Sequence, residues 1–240
     1  MADDDRELEL RLQAVKAKRG YLLPHHGLMA LTSQRLLDAY DGAYTALALD
    51  QRVLSVHDRE FVWLAILIAT DERAATHHIP KFLGAGGTVA GAEDALRVTA
   101  WASGGPGYLF VGEWWTPHLP GFDLSRAYAA AFRAITAGAD LRLAVMAAAA
   151  VHAARGDFAL LRQAIPLAYA LEVPELDLAE ALSLVMFPGS VPYFVEAAGI
   201  WLDLIREGAV RPSPAFAAWA RLQGQGGYDE AAGADGKPGQ

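Results

Sequence analysis

Two apolar runs constrain this chain most: "FVWLAILIA" at residues 61–69 and "LAVMAAAAV" at residues 143–151. Neither carries a charged side chain at any angle around a helix, so a helix built from either has no face to offer water. Both are also far shorter than the roughly 20 residues that span a bilayer. They read as core helices around which the remainder must pack. Alanine and leucine dominate, β-branched residues stand mostly singly, and glycine and proline gather at a few places, a pattern that favours helices throughout. With 240 residues, 53% of them apolar, the chain can bury a core sized for one large domain or two small ones.

Charge and composition remove several function classes. The net charge of -8 comes from 28 acidic against 20 basic residues, and no stretch interleaves lysine or arginine with aromatics, so nucleic acid is not an expected partner. Nor is a membrane. The first residues, "MADDDRELELRLQ", are acidic where a secretory signal is basic and then apolar, which makes a cytoplasmic location the expectation. There is no cysteine, which eliminates disulfides, thiolate metal sites, iron-sulfur clusters and thiol peroxidase chemistry together.

Periodicity and punctuation predict a helical arm over about 4–18 and a turn at "RGYLLPHHG". Helices follow over Ser33–Ala48, Asp58–Asp71, Thr76–Leu83 and Ala90–Ala102. "SGGPG" (103–107) breaks the pattern, and "WTPHLPGFD" (115–123) reads as a linker between two halves. The second half then echoes the first. "DREFVWLAILIATDER" aligns with "DLRLAVMAAAAVHAAR", "AEDAL" with "LAEAL", and "GPGYLFV" with "GSVPYFV", at an offset drifting from 82 to 85 or 86 residues. A unit of about eighty residues is too long for a solenoid repeat and points to a duplicated helical module whose copies pack as a pseudo-dimer. The expected organisation is an arm and first, site-bearing module over 1–118, a second, degenerate module over 119–223, and a flexible tail over 224–240.

Candidate chemistry concentrates between residues 58 and 88. Asp58 is a plausible N-cap, and Glu60 in a first helical turn is explained equally by a favourable interaction with the helix dipole. Trp63, Leu64, Leu67 and Ile68 share an apolar face at helical spacing. His77 and His78 are adjacent, and neighbours on a helix point about 100° apart, so the two cannot readily serve one small target. One is expected to face a cavity and the other solvent or a supporting partner; alternatively, Asp71 or Glu72 simply satisfies both. Imidazole titrates near neutral pH, and carboxylates lie within one turn before it, so a proton-transfer site is chemically reasonable.

The run "DREFVWLAILIA", the acidic patch after it, "HHIPKFLGAGGT" and "AEDALRVTAWAS" together resemble the carboxymuconolactone decarboxylase and alkylhydroperoxidase D-like superfamily. Arg59 and Glu60 match the pair that opens a helix in that family, and His78, eight residues before Gly86, matches its histidine. The resemblance covers residues 58–103 best. Peroxidase members carry a CxxC pair just ahead of the histidine, where Asp71 and Ala74 stand here, so disulfide-cycling peroxidase chemistry is excluded and the cysteine-free decarboxylase branch remains.

That resemblance implies an all-α fold of two tandem modules and a lyase without metal or other cofactor. It would act on a small carboxylated, aromatic-derived compound, and assemble as a homo-oligomer, with a trimer favoured. His78 would donate or shuttle the proton, Glu60 would orient it or exchange its proton, and His77 with Glu72 would support the site or touch a substrate carboxylate. For substrate binding, the expected residues are His25 in "LLPHHG", Trp63, and the cluster Tyr108, Trp114 and Trp115 in "GYLFVGEWWTPH". The bland alternatives are a capped turn for His25 and core or subunit-interface packing for the aromatics. In the second half Arg162 offers a carboxylate contact but no imidazole occupies the matching position. Two competing readings stand beside this one: a metal site built from the two His-His pairs, whose spacing fits neither HExxH nor a facial triad, and a non-catalytic helical binding module.

Overall fold

A computed structural model describes residues 2–227 and 230, with side chains from residue 6 onward. The fold is all-α, with no strand among the described residues. Most of the segment expected to be a flexible tail, 224–240, lies outside the described residues. Helices α1 (Ala2–Arg19), α2 (Pro24–Thr32) and α3 (Gln34–Tyr44) form an N-terminal arm. Next come α4 (Val56–Ala69), α5 (His78–Gly84), α6 (Val89–Ser103) and α7 (Pro106–Phe110). The chain then continues through α8 (Leu124–Ile135), α9 (Leu141–Arg155), α10 (Phe158–Ala170), α11 (Glu175–Ser183), α12 (Val191–Arg206) and α13 (Pro214–Ala220).

The two apolar runs sit at the centre. In α4 every residue from Arg59 to Leu67 is buried, and in α9 every residue from Leu143 to Ala154. A helix buried all round needs neighbours on all sides, and these two supply part of that cover by packing along each other, with α5 and α6 closing on α4, and α6, α10 and α11 on α9. The alanines of α9 let its neighbours approach its backbone closely, and one continuous core runs from Tyr44 to Val210 across both halves of the chain. No helix is long and apolar enough to cross a membrane among the described residues.

The arm has a small core of its own, Val15, Ala30 and Leu37 with Leu8, Leu12 and Met29 beside them. It meets the body where Tyr40 and Tyr44 stand edge-on to Phe187, at ring separations of 5.2 and 5.7 Å.

Local chemistry explains where the expected boundaries shift. The cap of α4 is Ser55, whose hydroxyl accepts from the Asp58 amide, so Asp58 lies in the first turn instead of capping it. The expected turn at "RGYLLPHHG" contains the start of α2, with Pro24 in the first helical turn and the Leu23 amide donating to His26 Nδ1. After α4 the chain reverses through Asp71, held at φ 54°, and Glu72 caps the short turn Arg73–Ala75 by accepting from the Ala74 amide. The bend "GAGG" after α5 places Gly86 at φ 93° and presses Gly87 onto the buried Phe82 ring so closely that a Cβ there would lie 2.6 Å from it.

Candidate active site

Helices α4 and α5 converge on one buried contact. Glu60 and His78 are 0% and 2% exposed, and His78 Nδ1 lies 2.6 Å from Glu60 Oε2, a charge-assisted geometry. Glu60 is placed there because α4 is buried on every side from Arg59 to Leu67, so its carboxylate must find a partner inside, in the first turn of α5. Its other oxygen, Oε1, has no hydrogen-bond partner among the described residues; Arg59 Nε lies 4.0 Å away, while Arg59 donates through its guanidinium to the Asp50 carbonyl at 2.6 Å. The Trp63 ring stacks on the His78 ring at 4.6 Å, fixing its plane.

His78 borders a cavity of about 400 Å³ whose walls include Trp63, Leu67, His77, Tyr44, Arg19 and Phe187. Glu60 does not reach that surface. The carboxylate therefore stands behind the imidazole, and with Nδ1 engaged, Nε2 is the nitrogen left for the cavity. The arrangement can hold the tautomer that presents Nε2 to a ligand and can balance an imidazolium with a buried carboxylate.

His77 reaches the same cavity. The expectation that the two adjacent histidines diverge is not met, because His77 precedes α5 as its cap residue and the cavity wraps around the helix start; the two rings are 4.3 Å apart. His77 Nε2 lies 3.1 Å from the Tyr21 hydroxyl and 3.0 Å from the Tyr44 hydroxyl, which are 3.2 Å from each other. Burial, with the charges of His78, Lys81 and Arg19 adding to it, pushes His77 down to about 3, so it is neutral at physiological pH. Burial drives the Tyr44 phenol up from its ordinary value.

The other expected residues divide cleanly. Trp63, His25 and Glu72 line the cavity, His25 with its Nε2 2.9 Å from the Tyr40 hydroxyl and Glu72 already used as a turn cap. Tyr108, Trp114 and Trp115 do not line it. Tyr108 packs against Trp101 and Tyr128, while Trp114 and Trp115 are 60% and 51% exposed on the π-helical turn Val111–Trp115, because that turn projects from the body instead of folding over α4. Arg162 pairs with Glu207 on the surface, away from the cavity. No group of three or more histidine, aspartate or glutamate side chains able to hold a metal occurs among the described residues.

Sequence reasoning missed Arg19, Tyr21, Tyr40 and Tyr44 from the arm and Phe187 from the second half, all of which line the cavity. Arg19 sits in the last turn of α1 with Lys16 and Lys18, where basic residues are expected simply to favour the helix dipole. Comparison of the chain with protein-family models, curated proteins and solved structures finds no match in any of the three.

Proposed function

We propose that this protein is a cofactor-independent lyase of the carboxymuconolactone decarboxylase type, built from two tandem helical modules, acting on a small carboxylated, aromatic-derived compound. The observation that carries the reading is the buried Glu60–His78 contact at 2.6 Å behind a cavity of about 400 Å³. In decarboxylation the bond from the α-carbon to the carboxylate breaks, carbon dioxide leaves, and the electron pair passes into a conjugated carbonyl as an enolate. One proton must then reach carbon. His78, as imidazolium, donates it from Nε2, with Glu60 stabilising the positive ring until a proton from solvent replaces the one consumed. The central helix of each half packs against the two that follow it, α4 with α5 and α6 and α9 with α10 and α11, which supports duplication, and α10 carries no histidine to match His78.

The test is turnover of an unsaturated carboxylactone such as a carboxymuconolactone, followed by carbon dioxide release, in wild type and in His78→Ala and Glu60→Gln. Loss of activity in both supports the assignment; intact turnover in either misplaces the site. The same reading expects a homo-oligomer, a trimer favoured, which light scattering on the purified protein checks directly.

A further inference from the structure

The wall of the cavity opposite the body comes from the N-terminal arm, and its chemistry differs from that around His78. Arg19 is 2% exposed at its side chain, lies 4.4 Å above the Tyr44 ring, and donates through Nε to Asp41 Oδ1 at 2.9 Å. Asp41 is shared with Lys18, whose Nζ is 2.6 Å from Oδ2. Burial pushes the Asp41 carboxyl up, but the hydrogen bonds from Lys18 and Arg19 outweigh it and hold the group below its ordinary value. One carboxylate between two cations leaves this corner with a net positive charge. Among the described residues lining the cavity, Arg19 is the only permanent cation and Glu72 the only carboxylate; Arg19 Nη1 lies 2.8 Å from His26 Nε2 and Nη2 2.8 Å from Asp41 Oδ1, which fixes the guanidinium plane while each terminal nitrogen keeps a second N–H.

Beside Arg19 the triangle of Tyr21, Tyr44 and His77 has one proton too many. If His77 carries its proton on Nε2, that nitrogen donates to one hydroxyl, this hydroxyl donates to the other, and the second phenol proton has no acceptor inside the triangle. If the proton is on Nδ1, two phenol protons satisfy Nε2 and one hydroxyl oxygen, and the Nδ1–H is left over. Either tautomer leaves a donor to spare on rings that line the cavity. A positive corner beside surplus donors, walled by Trp63 and Phe187, suits a flat ligand bearing an anionic oxygen.

We propose that Arg19, Tyr21, Tyr44 and His77 form an anion subsite that takes the carboxylate of a small planar organic acid, so that the N-terminal arm recognises the ligand while His78 supplies the chemistry. The identity of the ligand class rests on the lyase reading above; the existence of the subsite does not. A carboxylate held by a guanidinium is stabilised as the anion, so the group anchored here is one the substrate keeps, not the one expelled.

Benzoate and its uncharged isostere benzamide test this by ligand-observed NMR titration of the full-length protein. Wild type should bind benzoate about tenfold more tightly than benzamide, the ratio one charge-assisted hydrogen bond supplies. Arg19→Gln should abolish the preference, and Tyr21→Phe should weaken benzoate about threefold or more with an unchanged thermal midpoint. Arg19 is buried against Asp41, so if its variant does not fold, Tyr21→Phe and Tyr44→Phe decide the matter. His78→Ala should keep the preference for benzoate, which separates failure of the lyase reading from failure of the subsite. Equal affinity for the two compounds, no benzoate binding by wild type, or unchanged benzoate affinity in the tyrosine variants would overturn the proposal.

Discussion

His78 and His152 are both buried histidines beside a tryptophan, and the contrast between them shows what turns a core imidazole into a candidate site. His152, in α9, is 0% exposed, with Nε2 2.7 Å from the Tyr128 hydroxyl and Nδ1 without a partner among the described residues. Its neighbour Trp101 stands edge-on at 6.4 Å. His78 has a carboxylate where His152 has a phenol, a stacked indole where His152 has an edge, and a cavity where His152 has packed hydrocarbon. Burial, reinforced by the Arg155 charge, drives His152 down to about 3, so it stays neutral. Burial without an anionic partner thus keeps a histidine neutral; an anionic partner on one nitrogen and open space at the other make it useful.

The largest effect that could break this comparison is on turnover. His78→Ala should lower turnover of the folded protein by about 100- to 10,000-fold, the range that proton transfer commonly contributes, and should also lower the thermal midpoint, because the buried Glu60 carboxylate loses its partner. His152→Gln, which can still meet Tyr128, should leave turnover of the folded protein within about twofold of wild type, since nothing at His152 reaches the cavity. Equal losses in the two variants would mean that the distinction drawn from their surroundings is wrong. Glu60→Gln sharpens it further, by giving His78 an uncharged partner of the kind His152 has. Its turnover should fall by about 10- to 1,000-fold, less than in His78→Ala, because the amide oxygen can still orient Nδ1–H while no longer balancing an imidazolium.

The next effect is in stability against pH. An unfolded histidine binds its proton near pH 6.5 and folded His152 near pH 3, so between these values the unfolded state holds more protons and stability falls as the pH falls. His152 should contribute a slope of up to about 1.4 kcal/mol per pH unit in that window, and none above it. His77, also pushed down to about 3, adds in the same direction. Denaturant unfolding of wild type and His152→Gln between pH 7 and pH 4.5 measures the difference; curves that fall in parallel would show that His152 does not enter the folded state neutral.

The half of the site that was legible in the sequence is the half made by local pattern. An apolar run bounded by charge marks α4 and α9, and an inward glutamate on one with a histidine opening the next helix is visible from spacing alone. Arg19, Tyr21 and Tyr44 were not legible, because only the folding of the arm onto the body brings Tyr21 to His77 across 56 positions of chain. Dense aromatics misled in the opposite sense: Trp114 and Trp115 look like a pocket wall by composition, yet sit on a turn that projects into solvent. Phe187 was missed for the same reason as Arg19, since its role depends on how the second half meets Tyr40 and Tyr44.

The smallest effect is expected at Tyr128, the phenol that answers for His152 what Glu60 answers for His78. The Tyr128 ring is 1% exposed and packs against Trp101 at 4.7 Å and Tyr108 at 5.9 Å, contacts that phenylalanine would keep. Tyr128→Phe removes only the hydroxyl and leaves His152 with neither nitrogen partnered, which should cost about 1–2 kcal/mol, read as a lower denaturation midpoint with an unchanged slope. Turnover and benzoate binding should not move. A change in either would mean that the sealed histidine communicates with the open one through the packing of α4 against α9, and the two would then have to be treated as one polar system.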